Sequence, residues 1–148
     1  MSYRTIIVGT DGSASAERAL EQSVDLAAAD HARLVVVTAY ERSGARRDER
    51  TPEDLRWMLT DPNEAERHAR RGRELASERG LTDVVVQALE GDPAHELLEA
   101  AETFGADLIV VGSVGLTGSA RFLLGSVAST VLHHAPCDVL VVHTHGRT

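Results

Sequence analysis

The sequence contains no lysine and only one cysteine, Cys137. A phosphate loop that depends on a lysine is therefore excluded, and so is Schiff-base chemistry. One cysteine excludes a disulfide framework within the chain. Basic residues are also scarce: 15 arginines face 23 acidic residues, for a formal net charge of −8. Non-specific nucleic-acid binding, which needs basic groups to neutralise phosphates, is not expected. No apolar run approaches the roughly 20 residues of a membrane helix, so no membrane partner is expected. Met1-Ser2-Tyr3-Arg4 leads straight into a strand-like run without a signal-peptide pattern. A cytoplasmic location is the expectation.

What is present is a regular alternation. Five apolar, β-branched runs recur: Thr5–Val8, Leu34–Val37, Val84–Val86, Leu108–Val111 and Val139–Val142. None alternates with polar residues, as expected of parallel strands covered on both faces. Between them lie stripes at helical spacing: Ala16, Ala19, Leu20, Ser23, Val24, Ala27; then Ala65, His68, Ala69, Gly72, Leu75, Ala76; then Ala94, Leu97, Leu98, Ala101; and Leu124, Val127, Ala128, Val131. Asp61-Pro62 and Asp92-Pro93 each offer a capping side chain followed by proline at the first helical position. Thr51-Pro52 does the same for a short extra helix that carries Trp57, read as a packing anchor. Gly80 and Gly105 mark helix ends. With 148 residues, the expectation is a single doubly wound α/β domain spanning residues 1–148. The charged stretch at residues 41–50 reads as a solvated loop.

The chemistry concentrates after the fourth strand. Gly112 and Gly115 sit where the chain turns, and Gly125-Ser126 where the next helix begins. Glycines let main-chain N–H groups approach an anion, and a helix N-terminus adds unpaired donors with partial positive charge. This is a phosphate cradle without lysine. The first strand ends in Thr10-Asp11-Gly12-Ser13. If the first and fourth strands are neighbours, Asp11 and the glycine segment face one crevice. Asp11 has a second reading, an Asx turn. Ser13 and Ser15 read as helix caps. His133, His134, His143 and His145 lack a convincing metal-ligand spacing, and Cys137 reads as a small buried hydrophobe.

The spacing G-x2-G-x9-G-(S/T), carried by Gly112, Gly115 and Gly125-Ser126, resembles that of the nucleotide-binding branch of the universal stress proteins. Thr10–Ser13, Gly91-Asp92-Pro93 and Asp138–Val142 are similar to the same family. The resemblance implies a five-stranded parallel sheet in the order 3-2-1-4-5 with helices on both faces. It implies an adenine nucleotide as ligand, ATP or cyclic AMP, with magnesium as a candidate cation. Carried over by position, Thr10 and Asp11 lie by the ribose and phosphates, and the main chain of Ala39 meets the adenine. Val111, Gly112 and Gly115 line the ribose and phosphates. Gly125, Ser126 and Val127 hold phosphate oxygens. Val114 stands where many ATP-binding members have a basic residue, and the next basic side chain is Arg121. Main-chain dipoles satisfy one charge more easily than four, so cyclic AMP or AMP competes with ATP.

The expected role is a sensor or sequestering module in stress response, without catalytic residues and at most slow at ATP hydrolysis. Two alternatives stand beside it. An adenylate-transfer enzyme of related fold is disfavoured by the absence of a Ser-Gly-Gly-x-Asp-Ser-like loop. A ligand-free interaction protein would use the glycine segment as a tight connection. The last strand is an apolar edge, and the resemblance implies a homodimer paired through it. The downstream protein partner is not encoded in any motif.

Overall fold

The computed structural model describes residues 2–41, 62–113 and 124–143. The chain runs β1 (Thr5–Gly9), α1 (Ala14–Asp30), β2 (Arg33–Tyr40), α2 (Pro62–Glu78), β3 (Val84–Glu90), α3 (Pro93–Phe104), β4 (Leu108–Gly112), α4 (Ser126–His134) and β5 (Asp138–Val142). The five strands pair in parallel in the order β3-β2-β1-β4-β5. Arg121 and Trp57, and the proposed caps Thr51 and Asp61, lie outside the described residues.

The unbroken apolar runs have a direct cause. Along β1, Ile6 and Val8 face α1 and α2, while Ile7 faces α3 and α4. β2 and β4 repeat the pattern: Leu34, Val36, Leu108 and Val110 join the first layer, and Val35, Val37, Ile109 and Val111 the second. Alternate side chains point to opposite faces, so a strand covered twice needs apolar residues at every position. Each fully buried Ile or Leu contributes about 1.5–3 kcal/mol.

Small residues set how closely the helices approach. A Cβ on Gly72 of α2 would come within 2.8 Å of Val36 on β2. Two stripes differ from the sequence expectation. On α3 the buried set is Ala94, Leu97, Ala100 and Ala101, with Leu98 only half-buried. On α4 it is Ala128 and Val131; Leu124 precedes the helix and is exposed. In both, the rotation of the helix over the sheet decides which of two adjacent apolar positions is covered.

Two helix starts are capped from within. Ser13 Oγ accepts from the Ala16 N–H at 3.1 Å, and Asp92 Oδ2 from the His95 N–H at 3.0 Å. Ser15, expected as a cap, is instead buried in the first turn of α1. α1 ends at His31 in a left-handed conformation, φ 56°. None of the described helices is long and apolar enough to cross a membrane.

Candidate functional site

β1 is the first strand laid down, and the chain builds outward from it in both directions. β2 and β3 lie on one side, β4 and β5 on the other. The strand order therefore reverses between β1 and β4, where open α/β sheets bind ligands beyond their carboxyl ends. Val8 is in register with Val110, and Gly9 with Val37. Two residues further on, Thr10 and Gly112 leave the sheet side by side. The neighbourhood on which Asp11 and the glycine segment depended is thus present. Ala39, paired with Leu89, stands at the same carboxyl edge on β2.

The turn after β1 is held by its own side chains. The Thr10 N–H donates to the Val37 carbonyl at 2.9 Å. The buried Thr10 Oγ1 accepts from the Gly12 N–H at 3.3 Å. Asp11 Oδ1 accepts from the Ser13 N–H at 2.9 Å, the Asx turn of the second reading. This bond holds the half-buried side chain of Asp11 against the turn that follows β1. Gly12 has φ 82°, a left-handed conformation that penalises any side chain. The imidazole of His68, from α2, covers that glycine; a Cβ there would lie 2.6 Å from His68 Nε2. His68 Nε2 is 3.6 Å from Glu64 Oε1, one turn earlier. One turn later, Arg71 Nη2 meets Glu17 Oε2 of α1 at 2.8 Å. That hydrogen bond and the Glu17 charge hold the guanidinium further toward its charged form.

The exit from β4 differs. A Cβ on Gly112 would sit 2.8 Å from the Ser15 carbonyl oxygen and closer still to its hydroxyl. Packing of α1 is therefore enough to require glycine at 112. Val111 is buried in the α3–α4 layer, so only its main chain can face the crevice. The Ser113 N–H donates to the Val142 carbonyl at 2.9 Å, and its carbonyl accepts from the Gly125 N–H at 2.7 Å. Gly125, expected among the phosphate donors, has its amide committed to Ser113; the strand-to-helix closure outcompetes the crevice for it. The first-turn donors that follow belong to Ser126 and Val127. Gly125 is the N-cap of α4 and makes no side-chain capping bond. The hydroxyl of Ser113 is buried and has no hydrogen-bond partner among the described residues. Such a group costs about 1–3 kcal/mol until something pairs with it. Gly115 lies outside the described residues.

Two other groups account for themselves. His95, Glu96 and Glu99 on α3 bring ligand atoms within 4.8 Å of one another. The solvent-facing His95–Glu99 pair at 3.4 Å explains their closeness without an ion. Cys137 is half-buried rather than buried; burial first, then the charges of Asp138 and Asp107, push its thiol up, away from the reactive thiolate.

Residues 2–143 match the universal stress protein family. The chain belongs to that family. A universal stress protein of Mycobacterium tuberculosis strain H37Rv is 37% identical over 145 residues, covering 97% of this chain and 98% of that protein. The crystal structure of a universal stress protein in complex with cAMP is similar at a TM-score of 0.72 and 36% identity, covering 97% of this chain and 99% of that one. A universal stress protein from Archaeoglobus fulgidus in complex with dAMP is similar at a TM-score of 0.70 and 25% identity, covering 96% and 99%. In this member of the family, two residues near the carboxyl ends of β1 and β4 stand out only in the structure: His68, which the sequence places in a helical stripe, and Ser113. No local pattern marks either one, because each acquires its position from a distant element.

Proposed function

We propose that this universal stress protein binds an adenine nucleotide in the crevice between β1 and β4 and serves as a sensor or sequestering module, not as an enzyme. The observation that carries the reading is the N-terminus of α4, left without a side-chain cap beside a Ser113 hydroxyl that has no partner among the described residues, on the strand next to β1, which leads into Asp11. Donors without partners at a helix N-terminus suit a phosphoryl group. Ser126 and Val127 offer main-chain N–H groups to it, with Gly112 and the main chain of Val111 at the end of β4; Gly115 keeps its proposed role from the sequence. Thr10 and Asp11 border the ribose, and the main chain of Ala39 faces the adenine. The neighbours whose structures hold cAMP and dAMP support an adenine nucleotide.

Cyclic AMP is favoured over ATP. The described ionisable side chains around the turn after β1 are the carboxylate of Asp11, which precedes Gly12, and the imidazole of His68 over Gly12, itself set against Glu64. Such a rim repels about four charges more than one, unless magnesium bridges a triphosphate to Asp11. Among the described residues none is assigned as nucleophile or general base, and turnover of ATP is proposed to be at most slow.

The test is native mass spectrometry of freshly purified protein, followed by thermal unfolding with cyclic AMP, AMP and ATP, each with and without magnesium. Ligand at one hundred times its Kd adds about 2.7 kcal/mol of stability. For a chain of this size that raises Tm by about 5–10 °C. No shift with any nucleotide refutes the reading. The ligand-free alternative draws on one observation: α1 packing alone explains Gly112.

The single domain is proposed to act as a homodimer in the cytoplasm, paired through β5. That strand lies at the sheet edge, with Val139, Leu140 and Val141 half-buried. Val141→Lys is expected to halve the mass in solution; an unchanged mass with an intact fold refutes this interface.

A further inference from the structure

We infer that His68 contacts the ligand and reads the sugar of the nucleotide, through a hydrogen bond that α2 brings to the crevice. The inference rests on the nucleotide reading above and names a residue outside the glycine-rich segment.

Three observations converge on this residue. The ring lies over Gly12, at the carboxyl end of β1; a Cβ there would stand 2.6 Å from Nε2 and 2.9 Å from Nδ1. The imidazole therefore occupies the place a side chain at residue 12 would take, directly after Asp11. Its side chain is 28% exposed, so the ring is packed on one side and open on another. Its position is also supported from both directions along α2. Glu64 faces Nε2 at 3.6 Å, and Arg71 ties the helix to Glu17 of α1 at 2.8 Å.

The chemistry follows from the two ring nitrogens. A carboxylate beside Nε2 favours the tautomer that carries its proton there. Nδ1 is then an acceptor, and it has no partner among the described residues. An acceptor held beside a carboxylate suits a hydroxyl donor better than a phosphate oxygen. The hydroxyls of an adenine nucleotide are on its ribose. A site built to hydrogen-bond a substrate hydroxyl discriminates against the analogue that lacks it.

The experiment compares three nucleotides on three proteins, the second variant serving as control. Kd values for AMP, 2′-deoxy-AMP and 3′-deoxy-AMP are measured by calorimetry on the full chain, wild type, His68→Ala and His68→Gln, with Tm recorded for each. Wild type is expected to prefer AMP over one deoxy analogue by about fivefold to tenfold, the worth of one neutral hydrogen bond. His68→Ala is expected to lose that preference at unchanged Tm, and His68→Gln, whose amide oxygen also accepts, to regain part of it. A merely structural histidine would weaken all three nucleotides equally and leave the preference intact, which overturns the inference. A wild type that binds AMP without distinguishing either deoxy analogue overturns it too, while leaving the nucleotide reading standing. Failure of wild type to bind any of the three overturns the inference as stated for AMP, while the nucleotide reading is decided separately by cyclic AMP and ATP.

Discussion

The two ends of the sheet are finished differently. At the amino end, main-chain donors are met by the protein's own carboxylates. The Tyr3 N–H donates to Asp30 Oδ2 at 2.9 Å, and the N–H groups of Arg4 and Thr5 donate to Asp107 at 3.0 and 3.1 Å. The Tyr3 hydroxyl donates to Asp138 Oδ2 at 2.9 Å, reaching from the residues before β1 across to the edge strand. At the carboxyl end, Ser113 keeps a buried hydroxyl unpaired among the described residues, and α4 starts without a side-chain cap. The carboxyl end is closed only in part: Ser13 and Asp92 cap α1 and α3, whereas α4 has no side-chain cap. The difference separates groups that find their partners within the fold from one that finds none among the described residues, although both ends use the same chemistry of N–H and oxygen.

That comparison can be broken or sharpened. The largest effect is expected from Gly112→Val. Its side chain would press on the Ser15 carbonyl, costing about 3 kcal/mol of stability in urea unfolding. A smaller loss would mean that α1 yields at this point. Next comes Gly125→Asp, which gives α4 the cap it lacks. Gly125 has φ −65° and ψ 164°, open to any residue. Unfolding should therefore be unchanged or slightly harder. The added carboxylate would compete for the first-turn donors, weakening nucleotide binding about thirtyfold, on the order of 2 kcal/mol. Unaltered affinity would remove α4 from the phosphate site.

Asp107→Ala is the opposite experiment at the amino end. It strips the partner from two main-chain N–H groups and should cost about 1.5 kcal/mol, while the Kd for nucleotide stays as in wild type. The smallest effect concerns pH. The bond to Asp138, and then burial and nearby carboxylate charge, raise the Tyr3 phenol above its ordinary value of 10.0. The raised group favours the folded state while the phenol is protonated. Its contribution is present below pH 10 and is lost as pH rises through the folded value. Between pH 9 and pH 11.5, roughly the range around a phenol's titration, Tm of wild type should fall slightly more steeply than that of Tyr3→Phe.

Much of the fold was legible beforehand because both of its signals are local. Continuous apolar runs such as Leu34–Val37 declare strands covered twice, and Asp92-Pro93 declares a helix start. Leu98 and Ala100 show the limit: both are apolar, and only the docking of α3 decides that Ala100 is buried. His31 shows another, since a left-handed helix end on a residue other than glycine has no clear signature. For the candidate site, the glycine spacing marked the turn after β4 and the start of α4, but carried no sign that the Gly125 amide is taken by the Ser113 carbonyl.

Composition and spacing alone determined the strand and helix alternation, the double burial of the sheet and the absence of any lysine-dependent chemistry, because each depends on residues near one another in the chain. The adjacency of β1 and β4, the seating of His68 over Gly12 and the isolation of the Ser113 hydroxyl were decided by tertiary structure. These are relations between residues far apart in sequence. Whether such residues meet depends on how whole helices and strands pack, not on any local preference.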